Sequence, residues 1–109
     1  MSSTLIYSRL TLATSDAQRI IKRLAKHWQH KFEIVEDDNN TIIPFSSDNK
    51  ATLSHDDNHL FVLLETIDTE TRDKLQQVIV SHINRMAQQE FEADWHNNFR
   101  RNADTNINA

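Results

Sequence analysis

Not one of the 109 residues is glycine, and only one is proline. A chain without glycine has no residue that enters left-handed backbone angles freely, so its turns must rely on the side chains that tolerate them best, Asn and Asp. Those residues cluster in Asp37-Asp38-Asn39-Asn40, in Ser46-Ser47-Asp48-Asn49 and in Asp56-Asp57-Asn58, which predicts three turns. The same absence removes whole classes of chemistry. A phosphate-cradling P-loop and a G-x-S-x-G nucleophile elbow both need glycine, and no Ser or Thr stands in another recognisable nucleophile motif.

The stretches between the turns show clear periods. Residues 4–13 alternate, with Ile6, Ser8, Leu10 and Leu12 on one face and Leu5, Tyr7, Arg9 and Thr11 on the other, the pattern of a strand. Phe32 to Glu36, Thr41 to Phe45, Lys50 to Ser54 and Leu60 to Ile67 read as four further strands in a meander. Ser15 and Gln18 have the spacing of a capping box, and Ala17, Ile20, Ile21, Leu24, Ala25 and Trp28 then draw one stripe down a helix from about 16 to 30. A second helix, from about 69 to 91, carries Leu75, Val78, Ile79, Ile83, Met86 and Ala87 at helical steps.

The order β-α-β-β-β-β-α predicts an α+β domain: an antiparallel sheet with two helices packed on one face. This is the order of TATA-box-binding-protein-like folds, an analogy of architecture that carries no function. Residues 1–96 form the single domain, whereas 97–109, polar and without a period, are expected to fray. In the last strand Leu60, Val62 and Leu64 take one face while Phe61, Leu63 and Ile67 take the other. A homodimer through that open sheet face is the simplest cover, with Tyr7 and Arg9 at its border.

Composition narrows the setting. The chain has no cysteine, which suits a reducing cytosol and excludes thiolate chemistry. No basic stretch followed by an apolar run opens it, and the longest apolar run, Leu60 to Leu64, falls far short of the roughly 20 residues a bilayer requires. A cytoplasmic protein with no membrane partner is expected. A net charge of -4 argues against nonspecific polyanion binding. Arg19, Lys22, Arg23 and Lys26 make the outer face of the first helix basic, either as a solvated surface or as a dock for an anion, but no aromatic platform accompanies them, so nucleic acid is not expected.

Three of the six histidines lie at fixed points of the helices. His82 falls mid-stripe on the second helix, between Ile79 and Met86, which predicts burial; His27 lies at the edge of the first helix's stripe and His30 further out. The plain reading is a core histidine with satisfied ring nitrogens. The sharper one joins His27, His30 and His82 into a nitrogen-rich site for a transition metal ion. The His27–His30 spacing is shorter than the i, i+4 pairing usual for metals on helices. Glu90 also falls on the apolar side of the second helix, about two turns beyond His82, where a structural ion pair with Arg85, Lys31 or a histidine is expected. His55 and His59 flank the third turn and could come close across it; the turn composition serves the backbone, and a metal site there would take adventitious metal first.

Lys26-His27 with His30-Lys31 closes the first helix, His82-Ile83 with Arg85-Met86-Ala87 and then Glu90 marks the second, and Trp95 follows. In these positions the chain resembles the bacterial domain of unknown function 2218 family, whose members show patterns like K-H-x-x-H-K and H-L-x-R-F-A. The resemblance covers about residues 4–96. The chain departs from it at Ser46 and Ser47, where glycine is usual, and at Met86 and Gln89, where Phe and Arg are common. It implies a small domain of unassigned activity, sometimes fused to or encoded near siderophore-interacting flavoproteins. The expected function is therefore a noncatalytic accessory or binding domain linked to iron or siderophore homeostasis, with such a flavoprotein as partner. His27, His30, Lys31, His82, Arg85, Glu90 and Trp95 are its candidate ligand-binding residues. The alternative is a small metal-dependent or acid/base enzyme using the histidine cluster.

Overall fold

The computed structural model describes residues 5–99 of the chain. Along them run β1 (Ile6–Ala13), α1 (Ala17–Trp28), β2 (Val35–Asp37), β3 (Asn40–Pro44), β4 (Lys50–His55), β5 (His59–Thr66), α2 (Thr69–Ala87) and β6 (His96–Phe99). The strands form one antiparallel sheet in the order β2-β3-β4-β5-β1-β6. The α+β order expected from the periods is present, with a sixth strand added at the end.

At the centre β1 pairs with β5 along its whole length, from Ile6 opposite Thr66 to Ala13 opposite His59. Because strand side chains alternate, this register aligns Leu10 and Leu12 with Val62 and Leu60 on one face, with Leu64 beside them. That face is dry: Leu10, Leu60, Leu64, Leu53 and Ala51 of the sheet bury against Ile20 and Leu24 of α1 and Ile79 and Ile83 of α2, each 1% exposed or less. Both helices therefore lie on one side. The other side carries Ile42, Phe61 and Leu63, half-buried, among Thr11, Thr52 and Ser54. Tyr7 belongs to that side too and is buried, while Ile67 lies past the end of β5 and is exposed.

The turns use the expected residues in part. Asp38 takes the left-handed conformation in the β2–β3 turn, at φ 54°. Between β4 and β5 the Asp56 carboxylate accepts from the Asn58 N–H at 2.8 Å, an Asx turn. Between β3 and β4, Asn49 donates its side-chain amide to Ser46 Oγ at 2.7 Å and accepts the Ile67 N–H. Among the described residues the other left-handed one is Gln88, which closes α2. Its N–H bonds to Arg85 O and that of Gln89 to Asn84 O, the Schellman arrangement, here made without glycine.

Several boundaries depart from the sequence expectation. The Ser15–Gln18 capping box is not formed: Asp16 is the N-cap and makes no side-chain cap bond, and its own N–H is taken by Thr14 Oγ1. α1 ends at Trp28, and the N–H groups of Lys31 and Phe32 both bond to Trp28 O in a closing turn that leaves Phe32 edge-on to Phe45. His30 and Lys31 thus lie in a turn beyond the helix, and β2 begins at Val35 instead of Phe32. α2 ends at Ala87, four residues early, where Asn84 Oδ1 captures the Phe91 N–H and draws the chain away from the helix axis. Its start is capped by Asp68, whose carboxylate accepts from the Thr71 N–H at 2.7 Å.

The tail expected to fray from residue 97 instead begins with β6, which pairs with β1. Fully buried Ser8 explains why: Gln76 of α2 donates to Ser8 Oγ at 3.2 Å and to Asn97 Oδ1 at 2.6 Å, and Ser8 donates to Asn97. A buried hydroxyl needs such partners, so the edge strand is held by the polar group the core leaves behind. Residues 100–109 of the expected fraying tail lie outside the described residues.

Two measurements test this account. Leu64→Ala, at the centre of the dry face, should lower unfolding free energy by about 2–5 kcal/mol in chemical denaturation. Gln76→Ala should speed hydrogen exchange in β6 while leaving β4 and β5 protected; unchanged exchange in β6 would mean that the amide does not hold the strand.

Candidate functional site

The two helices run in opposite directions, so that Arg23 of α1 meets the end of α2 and His27 meets its middle. The Arg23 guanidinium donates to Met86 O at 3.0 Å, a cation on a carbonyl of the last helical turn, where the macrodipole favours it. One turn further on, the His27 and His82 rings lie 5.1 Å apart, and His82 lies 4.9 Å from the Trp28 indole. Trp28 in turn meets Phe45 edge-on at 5.4 Å. The imidazoles therefore stand at the top of an aromatic column rooted in the core.

His82 was expected to be buried and is half-buried. α2 seats only Ile79 and Ile83 fully, and His82 falls at the margin of that narrow stripe, in the crease against α1. Its Nδ1 lies 2.7 Å from Val78 O. A carbonyl can only accept, so Nδ1 carries the proton and donates, and in the neutral ring Nε2 keeps a lone pair. The backbone thus fixes the tautomer.

The ridge is cationic. The His27 pKa lies below its ordinary 6.5, first because its ring is partly desolvated in the crease although the residue stays exposed, and then because of the charges of His82, Arg85, His30 and Lys31. Among the described residues none of those five side chains is paired with a carboxylate; the ion pairs present are His59–Asp56 and Arg72–Asp73. Here the structure does bring together five of the candidate residues, His27, His30, Lys31, His82 and Arg85, as one patch.

It separates the other two. Because α2 ends at Ala87, Glu90 is not on the helix: it is exposed and needs no buried partner. Glu90 and Trp95 instead line a pocket of about 530 Å³ on the opposite flank of α2, with Gln76, Gln77, Val80, Ser81, Asn84 and Ala93. Among the described residues no three His, Cys, Asp or Glu side chains are placed to hold a metal ion, so the set His27, His30 and His82 does not form a metal centre in this structure. In the β4–β5 turn, His59 Nδ1 meets Asp56 Oδ1 at 3.1 Å and its ring stacks on Phe61, while His55 approaches Asp56 O. The Asn58 N–H, followed by His59, lowers the Asp56 pKa. Arg23 reads in the sequence only as part of the basic outer face of the first helix, and the amides of Gln76 and Asn84 were not singled out there. Trp28 reads there as plain core, and nothing local marks a half-buried Gln or Asn as a tether.

The pH response of the ridge follows from the sign of the His27 shift. Its folded-state pKa is below the unfolded value, so as pH falls through about 6.5 the unfolded chain takes up the proton first and stability declines until the folded-state pKa is passed. NMR titration of the imidazole resonances should place His27 below an unfolded-peptide reference, and His82→Gln should move it up. A value at or above the reference would contradict the cationic crease.

The sequence profile of a family described as an uncharacterised protein conserved in bacteria (DUF2218) matches residues 9–96. Among solved structures, the NMR structure of PA4090 from Pseudomonas aeruginosa superposes with a TM-score of 0.72 at 32% sequence identity, covering 84% of this chain and 95% of that one. A comparison with curated proteins finds no match. No helix among the described residues is long and apolar enough to cross a membrane. The profile match takes in both helices, the cationic ridge and the sheet except the first three residues of β1 and the last three of β6, and the chain belongs to this DUF2218 family of uncharacterised bacterial proteins.

Proposed function

We propose that the protein is a noncatalytic cytoplasmic binding module that recognises an anionic group at the ridge formed by His27, His30, Lys31, His82 and Arg85. The observation that carries this reading is the gathering of His30, Lys31, His82 and Arg85 close enough to act on His27, with no carboxylate partner among the described residues. Such a patch holds like charges together at a cost, which a bound carboxylate or phosphate removes through charge-assisted hydrogen bonds. Arg85 supplies a permanent charge and a planar donor fork, and His27, held below its ordinary pKa, takes up its charge on binding. Binding is therefore coupled to proton uptake and is tighter in mild acid. The family's association with siderophore-interacting flavoproteins makes bacterial iron or siderophore handling the setting we propose, with such a flavoprotein as a partner; this part rests on the family resemblance alone.

Assembly as a homodimer through the open sheet face belongs to the same proposal. Ile42, Phe61 and Leu63 form its apolar centre, and Lys50 beside Glu65 gives its margin both signs of charge, which a two-fold contact can match.

Citrate and phosphate titrated into labelled protein at low salt should shift the His27 and His82 resonances saturably. Affinity should be higher at about pH 6 than at about pH 8, and Arg85→Gln should weaken it by about tenfold. Shifts that do not saturate, or that ignore pH and Arg85, would refute the anion site. For assembly, light scattering at micromolar protein should show a dimer that Leu63→Arg splits into folded monomers; a monomeric wild type would refute it.

A further inference from the structure

The pocket on the other flank of α2 is built separately from the ridge. Its floor is one helical face, Gln76, Gln77, Val80, Ser81 and Asn84, and its wall is the strap of residues 88–95, which leaves the helix and returns alongside it toward β6. Two floor residues tie that strap down. Asn84 Oδ1 accepts the Phe91 N–H at 3.0 Å near the start, and Gln76 Nε2 holds Asn97 Oδ1 at 2.6 Å just beyond the end. The Schellman turn at Gln88 fixes the departure angle, and Trp95 packs its body against the core. A strap anchored at both ends gives a cleft of about 530 Å³ whose shape exists before any ligand arrives.

The lining chemistry selects the ligand. One carboxylate, Glu90, and one indole, Trp95, face a space that no Lys, Arg or His lines. Among the described residues the side chains of Gln77, Ser81 and Glu90 are committed to no hydrogen bond or ion pair, so an acceptor-rich rim is open above an apolar base of Val80, Ala93 and indole. Anions are disfavoured here by Glu90. A compact organic cation gains from the carboxylate by Coulomb attraction and from the indole by cation–π contact, and its carbon body covers the apolar base. We propose that this cleft is a binding site for a small organic ammonium ion, with Glu90 and Trp95 as its charge and π contacts and the strap as its wall. The protein then carries two sites of opposite preference on the two flanks of one helix, and this one stands whether or not the ridge binds anions.

Choline and its uncharged isostere 3,3-dimethylbutanol separate charge from shape. Titrated into labelled protein, choline should shift the Trp95 indole N–H and the amides of Gln77, Val80 and Ser81 saturably, with His27 and His82 unmoved. Glu90→Gln should weaken choline about tenfold while leaving the rest of the spectrum, and the response of the ridge to citrate, as in the parent protein. Because Glu90 is exposed and outside the helix, this variant is expected to fold. The proposal is overturned if choline causes no saturable shift, if the isostere binds as well as choline, or if Glu90→Gln binds choline undiminished.

Discussion

The β1–β5 ladder is the part on which everything else is mounted. It is the longest pairing in the sheet, and it aligns Leu10, Leu12, Leu60, Val62 and Leu64 into one continuous dry surface. α1 packs over β3, β4 and β5, and α2 over β5 and β1, so the two helices are forced side by side above the same strand. A slip of one residue in this ladder would turn that surface to solvent and leave neither helix a seat. Register, more than any single contact, decides where the helices lie.

Side-by-side helices in opposite directions have a chemical consequence. Positions that face away from the sheet on each helix meet in a crease, and here those positions carry imidazoles and a guanidinium. The crease is wet enough for His27 to remain exposed and crowded enough to hold its proton loosely. On the far flank of α2 the charge is reversed, with Glu90 in place of His and Arg. One helix thus divides the surface into two regions of opposite character, and the strap from 88 to 95 defines the second.

What could be read from the sequence follows physical locality. The strands and the body of both helices were legible because alternation and helical stripes report burial directly. The ends were not. The Ser15–Gln18 pair has the right spacing for a box, yet Thr14 bonds the Asp16 N–H and the helix starts without a side-chain cap. Gln88 has no intrinsic claim on a left-handed angle; it takes one because Arg85 O and Asn84 O need donors and no glycine is at hand. β6 has neither alternation nor β-branched residues among its visible signals. Its place depends on Ser8 and Gln76, 89 and 21 positions away from Asn97, and no window along the chain contains that information. Glu90 was misplaced for the related reason that its position was extrapolated along a helix that stops first.

The manner in which β6 is held also bears on how the fold can fail. Among the described contacts, β6 is held by a short ladder to β1 and a small set of amide and hydroxyl bonds. The strand can therefore come away, while Phe91 and Trp95 keep the strap on the core, at a free-energy cost below that of global unfolding. What it uncovers is the edge of β1 from Tyr7 to Arg9, in a strand that alternates and is already straightened by its pairing with β5. An edge of that kind templates the addition of another strand, from a partner or from a second unfolding copy. The Gln76–Ser8–Asn97 group is thus a latch on the sheet's most adhesive border, and its polar bonds guard the solubility of a core to which they contribute almost nothing.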